Sequence, residues 1–200
     1  MKGRVKWSGW LLVLAVGLAQ PGPARAEGPG PLTAGTFEVG GAFGFSVSHN
    51  TSNHDLQTVY GYQGLFRLGG LVTDEHGEGA LKGNFELILE PTYIHLDAKP
   101  SADVGGSSLL ARWLFSGNNT VRPYLEAGGG VLAGKTELRQ TNCDVNFILE
   151  AGPGVLVFVN ERTAITVGYR FQHISNGGTC SSNLGLNSSM GIVGVSYFFH

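Results

Sequence analysis

Apolar residues recur at every second position through most of this chain, the period of a strand with one greasy face and not that of an amphipathic helix. From Ile165 onward the odd positions are Ile165, Val167, Tyr169 and Phe171, and the even ones Thr166, Gly168, Arg170 and Gln172. The same alternation predicts eight strands, at Thr36–Val47, Gln57–Leu71, Gly83–Leu96, Ser108–Phe115, Val121–Lys135, Asp144–Val159, Thr163–Ser175 and Asn187–Phe199. In the third, Phe85, Leu87 and Leu89 alternate with Asn84, Glu86 and Glu90. In the fourth, Leu109, Ala111, Trp113 and Phe115 oppose Arg112 and smaller partners, and in the fifth Leu125 and Ala127 oppose Tyr124, Glu126 and Gly128.

Alternation alone also fits a soluble sandwich with its apolar face inward. The identities on the other face carry the argument further. Glu86, Glu90, Arg112, Glu126, Glu150 and Arg170 all lie opposite the apolar stripe, mid-strand and spread over five strands. Such charges are expected to pair inside a polar lumen while the apolar stripe meets lipid; a solvated outer face is the competing reading. Glycine makes up 32 of the 200 residues, about twice its ordinary share of roughly 7%, and inside strands it suits the crowding and curvature of a closed barrel. The expected fold is all-β, an eight-stranded antiparallel transmembrane β-barrel.

Lys2, Arg4 and Lys6 precede an apolar run from Trp10 to Ala19, and Ala24-Arg25-Ala26 supplies a small-residue cleavage site. Residues 1–26 therefore read as an export leader and residues 27–200 as the barrel domain. No later stretch holds the roughly 20 consecutive apolar residues of a spanning helix. The leader carries four of the 13 basic residues and none of the 15 acidic ones, so the remaining chain has nine against 15 and a formal charge of −6. That balance argues against nucleic acid as a partner and against a polybasic membrane anchor.

Connections alternate between longer ones, around His49–Leu56, Asp97–Ser107, Thr136–Cys143 and Asn176–Leu186, and shorter ones such as Gly117-Asn118-Asn119-Thr120 and Asn160-Glu161-Arg162, with Thr73–Lys82 a long exception. Outer-membrane barrels keep short turns on the periplasmic side and longer loops outside. The seventh strand then runs outward and delivers His173 and Ser175 at outer-leaflet depth. At the other rim Tyr197 and Phe199 continue the stripe of Val193 and Val195 as an aromatic girdle, with His200 following the last aromatic. Cys143 and Cys180 are the only cysteines and fall in two expected extracellular loops of an exported chain. A bridge between them is expected in preference to free thiols.

His173 and Ser175 extend the apolar stripe of the seventh strand, because residues two apart share a face. A base and a hydroxyl so placed are within reach of the hydrogen bond that activates a nucleophile. A hydrolase working in water would not align them with an exposed greasy stripe, whereas an enzyme whose substrate is a membrane lipid would. His49, His54, His76 and His95 are scattered over loops and strand ends without metal-ligand spacing and read as structural or solvated. Gly128-Gly129-Gly130 lacks the Lys-Ser/Thr and following helix of a phosphate loop. No cofactor and no metal are expected.

Tyr169-Arg170-Phe171-Gln172-His173-Ile174-Ser175-Asn176, then Asn183, Gly185, Asn187 and Ser188, then Gly194-Val195-Ser196-Tyr197-Phe198, resembles the PagL family of lipid A 3-O-deacylases. Gly83-Asn84-Phe85-Glu86, Arg122-Pro123-Tyr124 and Asn146-Phe147 support the likeness, which covers essentially the whole chain after the leader and is strongest in the last 35 or so residues. The resemblance implies an integral outer-membrane enzyme that hydrolyses the ester-linked acyl chain at the 3-position of lipid A, in the outer leaflet, by a Ser-His-acid triad on the outside of the barrel. It makes Ser175 the nucleophile and His173 its base, and implies an oxyanion hole from the Gly178 N–H and the Asn183 side-chain amide. The family's acid, typically Glu twelve residues past the serine, is here Asn187. An amide oxygen at that position orients the imidazole but stabilises no imidazolium by charge.

Two further readings stay open: a non-catalytic small barrel that is structural or binds a ligand, and a retired family member. Acyl position, latency in the native membrane and association as a homodimer are not legible in the sequence.

Overall fold

In the computed structural model the described residues are 32–49, 56–117 and 120–200; the leader expectation, its cleavage site and His54 lie outside them. Eight long strands close into one antiparallel barrel: β1 (Phe37–His49), β2 (Tyr60–Leu71), β3 (Gly83–Asp97), β4 (Ala102–Phe115), β5 (Val121–Ala133), β7 (Val145–Phe158), β8 (Thr163–Ser175) and β10 (Leu186–Phe199). Two short strands, β6 (Thr141–Asn142) and β9 (Ser182–Asn183), pair with each other above it. Closure runs from Phe37↔Phe199 to His49↔Asn187 along β1 and β10, which leaves the barrel no open edge.

The strands alternate as their sequence does. Outward residues such as Phe43, Leu68, Leu89, Leu109, Leu149 and Val193 are exposed large hydrophobics, an apolar outer belt. Aromatic contacts mark both rims: Phe37, Tyr197 and Phe199 at the periplasmic one, and Phe45, Tyr60 and Tyr62 toward the extracellular one.

The charged residues point inward, which removes the solvated-face reading. Arg67 meets Glu126 at 2.7 Å, Glu90 at 3.5 Å and Glu38 at 3.7 Å. Arg112 pairs with Glu38 and Glu86. Arg170 reaches Glu90 and Glu126 at 2.6 Å and Glu150 at 2.8 Å, and Ser196 of β10 donates to Glu38. All eight barrel strands thus contribute to one ionic layer.

The ionic layer is confined to mid-height and apolar clusters lie at both ends, which narrows the expected polar lumen. Val59, Ile94, Leu96, Leu132, Leu138, Ile148, Ile174 and Leu186 plug the extracellular end. Leu32, Leu71, Leu114, Leu156, Phe158 and Phe198 plug the periplasmic end. Between the two plugs the ion pairs are buried, a setting in which removing one partner of a charge pair is costly.

Two expected connections differ. The Asp97–Ser107 loop is largely strand, for β4 begins at Ala102 and Asp103, Val104, Gly105 and Gly106 are paired with β3. Gly106 belongs there because a Cβ would lie 1.9 Å from the Val131 carbonyl oxygen; it marks close strand approach, not a loop. The long periplasmic connection is instead folded on itself, with a His76↔Gly83 bridge, a 3-10 turn at Gly79–Leu81, and Glu75 held by Lys82 at 2.8 Å and Arg122 at 3.0 Å.

Candidate active site

β8 and β10 leave the membrane side by side, and their register sets Asn187 directly across from His173. Both side chains point outward and are half-buried, as is that of Ser175. His173 Nδ1 lies 2.7 Å from Asn187 Oδ1. With Asn187 presenting its oxygen, the ring carries its proton on Nδ1 and leaves Nε2 as a base. The intervening Ile174 and Leu186 are buried in the extracellular plug, so the backbone under the site is pinned from inside.

The Ser175 hydroxyl has no hydrogen-bond partner among the described residues, and the structure does not join it to His173. Its ladder partner on β7 is Phe147, and that of His173 is Leu149. Phe147, Leu149 and Phe171, all exposed large hydrophobics, give the hydroxyl an apolar flank on the lipid side. Catalytic hydrogen bonds of this kind are often unformed without substrate and tighten only in the complex.

The turn after Ser175 is organised by Asn176, whose side chain is buried. Its backbone N–H donates to Asn183 Oδ1 at 3.0 Å, its Nδ2 donates to the Ser182 carbonyl at 2.7 Å, and its Oδ1 accepts from the Gly178 N–H at 2.9 Å. The Gly178 N–H is therefore already engaged, at a φ of 80° that favours glycine. Asn183 uses its oxygen and, among the described residues, its amide nitrogen donates to none. Gly185 is needed for a different reason: a Cβ there would lie 2.7 Å from His173 Cε1, so the glycine seats the ring.

Extracellular loops clamp this turn. Asn183 pairs with Thr141, the Gly185 N–H donates to the Gln140 carbonyl at 2.9 Å, and a disulfide joins Cys143 to Cys180 across a sequence separation of 37.

Sequence reasoning gave Asn176 no role, although its even parity with Gln172 and Ile174 already turned it inward. It also set aside His49. The β1–β10 closure brings His49 beside Asn187, and its Nε2 sits 2.7 Å from Ser189 Oγ; only the non-local register reveals this. His95, likewise set aside, is held at 2.8 Å by Asp103.

A family model described as lipid A 3-O-deacylase (PagL) matches residues 60–196, well over half of the chain. The chain belongs to the PagL family. The crystal structure of the outer membrane enzyme PagL is similar to it with a TM-score of 0.57 at 21% identity, covering 78% of this chain and 97% of that one. Neisserial surface protein A is similar at 0.60 and 18% identity, over 82% of this chain and 99% of that one. Ail, the attachment invasion locus protein of Yersinia pestis, follows at 0.52 and 14%, over 84% and 100%. At these identities the structural likeness is one of fold, an outer-membrane β-barrel, and it spans PagL and surface proteins alike. No curated protein matches the chain. Membership of the PagL family and the lipid-facing belt together make this an integral outer-membrane protein.

Proposed function

We propose that the protein removes the 3-linked acyl chain of lipid A, with Ser175 as nucleophile and His173 as general base. The observation that carries this reading is the His173–Asn187 hydrogen bond on the lipid-facing wall at the extracellular end of the barrel, in a chain of the PagL family. Lipid A approaching in the outer leaflet lays its acyl chain along Phe147, Leu149 and Phe171, which brings an ester carbonyl to Ser175.

Rotation of Ser175 toward His173 Nε2 sets up the attack. The hydroxyl proton passes to Nε2 as the Oγ–C bond forms, then from Nε2 to the departing sugar alkoxide as the ester C–O bond breaks. Water enters by the reverse route and releases the fatty acid. The Asn183 amide nitrogen is the available donor to the oxyanion, and Gly178 joins it when Asn176 Oδ1 yields its N–H. Asn187 fixes the tautomer of His173 through Nδ1, as the amide does in Cys-His-Asn sites. Residues 1–26 are, on the same reading, the leader that exports the chain.

A retired member is the second reading, and the Glu-to-Asn departure at residue 187 favours it. Mass spectrometry of lipid A from cells with and without the protein separates the two. Loss of one 3-hydroxyacyl chain in producing cells is the expected result; identical lipid A in both, with the barrel present in the outer membrane, contradicts the enzyme.

A further inference from the structure

Beside the His173–Asn187 pair the outer wall carries a second chain of polar side chains. His49 Nε2 lies 2.7 Å from Ser189 Oγ, and the Tyr169 hydroxyl lies 2.6 Å from that same oxygen. The three come from β1, β10 and β8, and all point outward. Ser189 is flanked on its ladder by Phe171 and Val47. Below it comes Gly191, between Tyr169 and Phe45, and a Cβ placed on Gly191 would meet nothing within 4 Å. The wall therefore has a notch, walled by two exposed aromatic rings, that begins at the Ser189 hydroxyl and runs toward the membrane interior. Polar groups are costly to set against hydrocarbon, so a hydroxyl and an imidazole paired on this outer wall call for a reason beyond packing.

We propose that Ser189 and His49 form a second ester-cleaving site, acting on long-chain acyl esters of outer-leaflet lipids whose chain lies in the Gly191 notch. A hydroxyl within hydrogen-bond distance of an imidazole nitrogen is the arrangement that activates a serine. Ser189 already has it. Ser189 lies two residues further into the membrane than Asn187, about 6–7 Å along the strand at the usual rise per residue, so its ester sits deeper than the one offered to Ser175. The step uses the arrangement in which Tyr169 donates to Ser189 and Ser189 donates to His49 Nε2, which both contacts allow. On attack the Ser189 proton moves to Nε2 as the Oγ–C bond forms, and the freed Tyr169 O–H turns to the carbonyl oxygen. Collapse breaks the ester C–O bond, and His49 returns the proton to the leaving alcohol. Water, deprotonated by His49, then cleaves the acyl-Ser189 bond and releases the fatty acid.

The site does not depend on Ser175, and its test is run in the Ser175→Ala protein, full chain, folded in detergent micelles. A fluorophosphonate bearing a long alkyl chain is the probe, with fragment mass spectrometry locating the adduct; heat-modifiable migration on gels reports folding. The expected result is an adduct on Ser189. Adding His49→Gln is expected to slow labelling at least a hundredfold, the lower end of what a general base contributes. No adduct on Ser189 in the folded protein, or equal labelling with His49→Gln, overturns the proposal. Labelling of Ser175 in the unsubstituted protein is read on a different peptide, so the fate of that site is scored separately.

Discussion

Tyr169 and Arg170 are neighbours on β8 and face opposite media. Arg170 looks into the lumen, where it is wholly buried and binds Glu90, Glu126 and Glu150 at once. Tyr169 looks out into the lipid belt and makes one hydrogen bond, to Ser189. The same contrast holds around the barrel. Inward charged groups are tied into one ionic layer with apolar residues above and below, while outward polar contacts are small clusters, mostly at the extracellular ends of β8, β10, β1, β3 and β4. A buried charge deprived of its partner is a large defect of the fold; an outward hydroxyl or imidazole at the membrane rim is not. The lumen holds the barrel together, and the wall is free to carry chemistry.

Arg170→Met should break that contrast from the inside and give the largest effect. It leaves three carboxylates without their shared cation, and we expect a loss of about 3–5 kcal/mol in urea unfolding of the micelle-bound barrel. The deacylation rate per folded molecule should stay as it was. Unchanged stability would mean that the ionic layer is not what the geometry makes it.

Cys180→Ser acts at the boundary between the two regions. Opening the loop closed by the Cys143–Cys180 bridge is expected to cost about 2–4 kcal/mol and to slow deacylation as well, because the bridge clamps the turn that carries Gly178 and Asn183. Retention of both stability and rate would show that the β6–β9 pairing suffices.

Asn187→Glu should sharpen the contrast from the outside. On the proposed mechanism a carboxylate facing His173 Nδ1 would stabilise the imidazolium formed as Ser175 attacks, and we expect a gain on the order of tenfold to a hundredfold in deacylation, with unfolding free energy changed by no more than about 0.5 kcal/mol. A slower Glu variant of normal stability would mean that another group orients His173.

Glu75, in the periplasmic connection, gives the smallest effect. Hydrogen bonds from Lys82 and then Ser116 hold its carboxyl down from 4.5 to about 2. A lowered folded value contributes stability that is complete above about pH 4.5 and fades as pH falls toward 2. Because the pair with Lys82 is half in water, Glu75→Gln should cost less than about 1 kcal/mol at neutral pH. Its unfolding curve should lack the part of the acid response that the native protein shows in that window; superimposable acid responses would dismiss the contribution.

Much of the scaffold can be read from residues alone. β8 was expected at Thr163–Ser175 and is found there, because its alternation is unbroken and its polar members include an unmistakable mid-strand Arg170. The start of β4 could not be read so, since Gly105-Gly106 signals a turn locally and only the neighbouring β5 strand explains it. The apolar plugs were hidden for a related reason: Ile148 is an inward hydrophobic between the outward Phe147 and Leu149, a run that carries no parity, while Ile174 and Leu186 turn inward where their outward neighbours His173, Ser175 and Asn187 are polar, the reverse of the mid-strand pattern. Within the site, the apposition of His173 and Asn187 follows from one hairpin and is local. Asn176 as the hub of its turn, and His49 as a neighbour of Asn187, depend on loop folding and on closure between the first and last strands. No local pattern encodes those contacts.

The claim that fold and chemistry occupy opposite faces of the same strands is tested most directly by purified Ser175→Ala. Its unfolding free energy and its rate of 3-linked acyl release from lipid A are measured on one preparation. The account predicts unfolding within about 0.5 kcal/mol of the unsubstituted protein and a fall in 3-linked acyl release of roughly three orders of magnitude or more. Normal release of the 3-linked chain by the folded variant, or a destabilised barrel that accounts for the lost activity, would contradict it.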